Sequence, residues 1–317
     1  MASRRLLNVS IAQMGPVARS ESRHKVVDRM IVLMEEAHQQ GSSFIVFPEL
    51  ALTSFFPRWV YDDHDELESW FESKMPNTYT SRLFERAGQL NCGFYLGYAE
   101  LEKDSLGRKQ FFNTSILVDT SGCIVGKYRK IHLPGSEEPL TGVSHQHLEK
   151  KYFDVGNLGF PAFNYQGGVF GMCICNDRRW PEVWRMLGLQ GVEVVALGYN
   201  TPINNRYGLS KLTDLSMFHN HLCMQAGAYQ NGTWVLAAAK AGVEEGVHHI
   251  GGSCIISPTG EIVAVCESEG DEVITTQCDL SAGDKIKETI FNFENHRQIK
   301  YYGSITSQKG VRKPEQH

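Results

Sequence analysis

The sequence predicts an α/β fold, with either one mixed sheet or two packed sheets, and helices outside. Three observations predict it. Two βαβ patterns stand in the chain, one in the first 50 residues and one over 169–197. Two β-hairpin patterns interrupt the alternation, so the sheet is not all parallel. No self-similar period or low-complexity stretch points to a repeat architecture.

The elements follow in chain order. Leu6 to Gln13 alternates apolar and polar residues and predicts a strand. Val27, Met30, Ile31, Met34 and Ala37 recur at helical spacing, predicting a helix over 21–40 that Gly41 stops. Phe44 to Phe47 is a short buried strand, and Pro48 and Glu49 follow it directly. The acidic stretch 62–72 predicts a solvated helical excursion. A helix over 81–90 precedes a strand over 93–99. Phe112 to Val118, the turn Asp119-Thr120-Ser121-Gly122 and the run 123–128 predict the first hairpin. Lys127, Arg129 and Lys130 then form a basic edge, and 135–146 is a polar loop.

Val169 to Ile174 is an apolar strand that ends at Cys175. Pro181 fits the first turn of a helix over 181–189, because its missing N–H costs little there. Gly191 lies past that helix, and 192–197 is the next strand. Beyond it the pattern predicts a loop over 200–209, a helix over 214–229 and a strand over 233–239. A second hairpin over 253–257 and 261–266, a strand over 273–280 and a helix over 284–290 complete the list. Residues 1–297 read as a single domain and 298–317 as a polar arm or tail.

Composition narrows the partners. The formal charge is −5 with both signs mixed along the chain, which argues against nucleic acid or an anionic membrane as partner. Eight cysteines, at 92, 123, 173, 175, 223, 254, 266 and 278, are scattered without a paired framework and read as reduced thiols of a cytoplasmic protein. The N-terminal stretch lacks the apolar core of a signal peptide, and no apolar run is long enough to span a membrane. The Asn-x-Ser/Thr triplets at Asn8, Asn113 and Asn231 then carry no glycan. Gly122 to Lys127 has three residues between its glycines where a phosphate loop has four, so it is set aside.

The chemistry gathers at Cys175. A thiol at the carboxyl end of a strand in a βαβ unit is held rigidly and projects into the crevice above the sheet. Cys173, inside the strand, reads as an inert core thiol. A thiol that attacks an amide-type carbon needs a base, a cation for the oxyanion and an acid for the leaving amine. Glu49 fits the first and last tasks, and Lys130 the second. No histidine adjoins Cys175, although any of the twelve remains open as a partner. Metal spacing is poor: His219 and His221 sit at i, i+2 on a helix, and His248 and His249 are adjacent without a further ligand.

The segments FIVFPELALT, FFPRW, NTSILVD, GKYRKIHLPG, HLEK, CNDRRWPE and AYQNG, in this order and spacing, resemble the nitrilase superfamily of carbon–nitrogen hydrolases. They resemble most the branch that hydrolyses N-carbamoyl-D-amino acids. The resemblance runs from about residue 5 to about residue 305. It implies an αββα sandwich of two mixed sheets, assembled as a homodimer or homotetramer, with no metal or other cofactor. It implies a catalytic triad of Glu49, Lys130 and Cys175, with Glu149 as a second carboxylate near the thiol. It places Arg178 and Arg179 on a substrate carboxylate, and Asn176, His132, His147, Asn200 and Thr201 around the pocket. Paired guanidinium forks suit a small-molecule N-carbamoyl amino acid. The same triad also serves β-ureidopropionases, aliphatic amidases and nitrilases. Loops 135–146 and 204–211 depart most from the family pattern.

Overall fold

The computed structural model describes residues 4–204 and 208–315; residues 205–207, inside the expected 200–209 loop, lie outside the described residues. The strands are β1 Leu6–Gln13, β2 Phe44–Val46, β3 Gly93–Lys103, β4 Lys109–Val118, β5 Ile124–Arg129, β6 Ala162–Tyr165 and β7 Gly168–Ile174. They continue as β8 Val194–Tyr199, β9 Trp234–Ala239, β10 Ala241–Glu244, β11 Val247–Ile250, β12 Cys254–Ile256, β13 Ile262–Val265 and β14 Glu272–Asp279. One six-stranded sheet runs β14-β1-β2-β3-β4-β5 and the other β13-β12-β9-β8-β7-β6. Each has three parallel strands at its centre and antiparallel strands outside them. Of the two arrangements left open by the sequence, the packed pair of sheets is the one observed.

Side-chain alternation sorts the layers. In β2, Phe44 and Val46 face the other sheet while Ile45 faces outward. Val9, Ile11, Tyr95 and Leu117 of the first sheet pack against Met172, Ile174, Val194 and Ala196 of the second. Outside the first sheet, Val27, Met30 and Met34 of helix Arg23–Gln39 and Phe84 of helix Ser81–Leu90 cover Ile45, Phe94 and Leu96. Helices Pro181–Gly188 and Ser216–Asn231 cover the second sheet. Among the described residues no helix is long and apolar enough to cross a membrane.

Two expectations needed correction. The acidic excursion holds only the short helix His64–Glu68. A further hairpin, β10–β11, was missed; its strands are four residues each, and its turn places Glu245 at φ +50° and Gly246 at φ +80°. Consecutive positive φ values give the twist a two-residue hairpin needs. The segment beyond 290 lies along helix Pro181–Gly188, with Phe293 under the Arg185 guanidinium at 4.1 Å and Phe291 against Tyr229. Short turns Ile299–Tyr301 and Gly303–Ser307 follow.

Candidate active site

Four chain segments meet at the carboxyl ends of the parallel strands. Glu49 sits in the turn after β2, and its backbone threads between the sheets. A Cβ on Gly97 of β3 would stand 2.7 Å from the Glu49 Cα, and one on Gly198 of β8 would stand 2.3 Å from the Glu49 nitrogen. Only glycine leaves that room, so both sheets shape the slot that holds the carboxylate.

Lys130 follows β5, and its N–H donates to the Asn113 carbonyl at 2.8 Å. Its ammonium donates to Glu49 Oε1 at 2.7 Å and to Glu149 Oε2 at 2.6 Å, with all three side chains fully buried. Asn113 Nδ2 adds donors to Glu49 Oε1 at 2.8 Å and Glu149 Oε2 at 3.3 Å. His147 Nε2 lies 2.8 Å from Glu149 Oε1. Burial works against the ammonium, but the two carboxylates outweigh it and hold Lys130 above the ordinary lysine range. Burial likewise opposes ionised Glu149, and Lys130 with His147 reverses this and holds the carboxyl low. Two carboxylates on one buried ammonium leave an excess negative charge. A fold gains little stability from such a group, and perturbed titration of this kind marks working sites.

Cys175 directly follows β7 with φ +47°, a left-handed conformation that costs a residue with a Cβ about 1–2 kcal/mol. The strained turn aims the thiol away from the strand, toward the Asn200 carbonyl at 3.9 Å. Burial, then the Glu49 charge, push the thiol up; Lys130 and Arg178 pull against them. The resting group is therefore a thiol, and it needs a base before it attacks.

A cavity of about 280 Å³ opens over the thiol, lined by His145, His147, Asn176, Arg179, Asn200 and Thr201 among others. The structure thus brings Glu49, Lys130, Glu149, Cys175, Asn176, His147, Asn200, Thr201 and Arg179 together. It does not bring Arg178 or His132 to the cavity. Arg178 is fully buried beneath the turn, donating to the Cys175 carbonyl at 2.6 Å, Thr201 Oγ1 at 2.9 Å and Asn220 Oδ1 at 2.7 Å, with Tyr199 under its plane. Its donors are spent on holding the turn, so the expected pair of carboxylate-binding arginines reduces to Arg179. His132 faces an adjoining cleft, stacked on Trp180 at 5.1 Å.

Sequence reading passed over two residues that hold the site. Asp177 accepts from Ile174 N at 3.1 Å, Tyr128 OH at 2.8 Å and His132 N at 3.0 Å, tying the Cys175 turn to the strand that leads to Lys130. A carboxylate inside the CNDRR run was the available signal. Asn113 stands in the sequence as part of an Asn-x-Ser/Thr triplet; its amide grips both carboxylates.

Thiol, paired carboxylates and buried ammonium in a sandwich crevice define a cysteine-based hydrolase. The comparisons name its family: residues 8–288 match the carbon-nitrogen hydrolase model, and the chain belongs to that family, whose members cleave amide and nitrile carbon–nitrogen bonds. It is 27% identical to a nitrilase of Pyrococcus abyssi over 302 residues, covering 94% of this chain and all of the relative. It is 30% identical to the N-carbamoylputrescine amidase of Solanum lycopersicum, covering 80% of each chain. The fold matches a carbon-nitrogen hydrolase from Helicobacter pylori with a TM-score of 0.80 and 22% identity, over 96% of this chain and 99% of that one.

Proposed function

We propose that the protein hydrolyses N-carbamoyl-D-amino acids to the D-amino acid, carbon dioxide and ammonia. The observation that carries the carboxylate part is Arg179. It opens into the Cys175 cavity, the neighbouring Arg178 charge pushes its pKa down, and among the described residues no carboxylate is paired with it. A cation that lacks an anion beside a reactive thiol suits a substrate that brings its own carboxylate. It disfavours the cationic substrate that the name of the tomato relative implies. The ureido group suits the thiol, base and cation set, and the D configuration is carried by the motif resemblance.

Glu49 takes the Cys175 proton as sulfur bonds to the ureido carbon. The transfer also removes the carboxylate charge that disfavoured the thiolate. Lys130 balances the oxyanion. Glu49 returns the proton to the departing nitrogen, and ammonia leaves a carbamoyl thioester on sulfur. Water, deprotonated by Glu49, attacks that carbon; the carbon–sulfur bond breaks, and the released carbamate loses carbon dioxide. Ammonia release from matched D- and L-N-carbamoyl amino acids and from 3-ureidopropionate tests the reading. Preference for 3-ureidopropionate or for the L-isomer would overturn it.

Arg179→Lys keeps the charge and loses the fork, so kcat/KM on the carboxylate substrate should fall by about 2–3 kcal/mol. The loss should shrink on the matching carboxamide, which lacks the charge. Arg178→Lys should cost both substrates equally, since its donors hold the turn. Equal losses from Arg179→Lys would remove it as the carboxylate partner.

We also propose that the protein is a homodimer or homotetramer, with 298–317 as an arm. Met186, Leu189, Phe218, Leu222, Ile290 and Ile305 are exposed, and residues of the two outer helices and the C-terminal segment line a cleft of about 680 Å³. An apolar face of that extent suits a second copy. Light scattering should give at least a dimer at micromolar concentration, and a fully active monomer would refute the assembly.

A further inference from the structure

A second buried charge cluster stands beside the active site. Lys240 directly follows β9 as Asn200 directly follows β8, and the two strands pair in parallel with Tyr199 opposite Ala239. The Lys240 N–H donates to the Tyr199 carbonyl at 3.3 Å, so this lysine leaves the sheet one strand away from Asn200, whose N–H donates to Glu49 Oε2 at 3.0 Å. The Lys240 ammonium donates to the Thr53 carbonyl, a few residues beyond Glu49, and to Glu244 Oε2 at 3.1 Å. Glu244, in β10, accepts from Arg58 Nη2 at 2.9 Å and the Phe55 N–H at 2.7 Å on Oε1, and from the Val17 N–H at 3.0 Å on Oε2. Arg58 also donates to the Glu244 carbonyl, and His249 of β11 completes the group with its Nε2 3.0 Å from Arg58 Nη2. All four side chains are buried.

The buried charges fall into two unequal groups. Glu49 and Glu149 share Lys130, two carboxylates to one ammonium. Lys240 and Arg58 share Glu244, two cations to one carboxylate. Burial holds His249 below the ordinary histidine range and so neutral, and Glu245, in the hairpin turn, is exposed to water. Either group alone would leave an uncompensated charge in the interior, which is costly. Their excesses are of opposite sign and lie side by side.

We propose that the Lys240–Arg58–Glu244 cluster is the counter-charge of the active site, balancing the excess negative charge of Glu49, Glu149 and Lys130. Burial presses the Lys240 ammonium down, and attraction to Glu244 and then to Glu49 opposes it. Besides Lys240, the groups that face Glu49 among the described residues are Lys130, Glu149, Tyr95 and the Cys175 thiol. The proton transfers of a thiol hydrolase move a negative charge from Glu49 to sulfur and on to the oxyanion without changing its sum. A fixed counter-charge therefore serves every step. Lys240 touches no substrate; it is a positioning residue that acts through Glu49. The inference needs the thiol and carboxylate pair and does not depend on which carbamoyl compound is hydrolysed.

Alkylation of Cys175 by iodoacetamide, followed over pH by mass spectrometry of its peptide, reads the charge at the site without a substrate. Lys240→Met keeps the length and loses the charge, while Glu244 keeps Arg58 and its backbone donors. Removing a positive charge disfavours the thiolate, so the alkylation profile should move to higher pH by about one unit, the scale of one buried charge at this range. The acidic limb of ammonia release from N-carbamoyl-D-alanine should move the same way, because the carboxylate is disfavoured too. Lys240→Arg keeps the charge and should hold the wild-type alkylation profile. If Lys240→Met does not fold, Arg58→Met removes the other cation and should give the same upward shift. A neutral variant whose profile stays within about 0.3 unit of wild type, a shift to lower pH, or an equal shift in Lys240→Arg overturns the inference. A wild-type protein that shows the alkylation shift on substitution but releases no ammonia from N-carbamoyl-D-alanine would instead remove the substrate reading.

Discussion

Cys175→Ala should leave a folded protein that binds substrate and turns it over on the order of 10⁴-fold more slowly, or worse. Alanine carries the same left-handed penalty as cysteine, so the turn at φ +47° gains no new strain. Arg178 keeps its bond to the main-chain oxygen of residue 175 and continues to hold the turn. What disappears is the sulfur that the proposed mechanism bonds to the substrate carbon. Cys173→Ala is the control: its thiol is buried on the outer face of the second sheet, under the helices, where burial first, then Asp177, hold it protonated. That variant should lose stability to a small cavity and retain turnover. Ammonia release and circular dichroism on both variants check this, and more than a tenth of wild-type turnover in Cys175→Ala would disprove the assignment.

Glu49→Gln should lower turnover by about 10²–10⁴, the range supplied by a positioned acid–base group. The sign of a second measurement separates this from a general loss of structure. Glu49 is the main charge that raises the Cys175 thiol above its ordinary range, after burial. Removing that charge lowers the thiol pKa, so the pH profile of alkylation by iodoacetamide should move to lower pH while turnover collapses. A shift to higher pH would contradict the geometry. Lys130→Ala is a weaker probe. It strands two buried carboxylates, and removing one partner of a buried ion pair costs about 3–5 kcal/mol, so lost folding and lost catalysis would coincide.

The parts of the fold that were legible in the sequence are those written in long periodic patterns. Strand Leu6–Gln13 and helix Ser81–Leu90 occupy the expected residues because alternation and helical spacing run their full length. The β10–β11 hairpin was hidden because four-residue strands with polar and charged members carry almost no period. The site divides in the same way. Chemically distinctive residues at strand ends, Glu49, Lys130 and Cys175, stood out before any geometry was known. Direction did not. Arg178 and Arg179 are neighbours of one chemical type, yet one supports the turn and the other lines the cavity. Which way each side chain leaves a five-residue 3₁₀ turn depends on Thr201, Asn220 and Tyr199, which come from elsewhere in the chain.

The slot between Gly97 and Gly198 has a consequence for how activity is acquired. Glu49 and Lys130 hang from one sheet, and Cys175 and Asn200 hang from the other. Neither half of the chain holds a working set. The groups come within reach only when the two sheets close on one another, as in the contact from Asn200 to Glu49, which spans 151 residues. Contacts so distant in sequence form late, after local helices and hairpins. Enzymatic turnover is therefore a reporter of the final closure of the sandwich, and a refolding chain regains its secondary structure before it regains its chemistry.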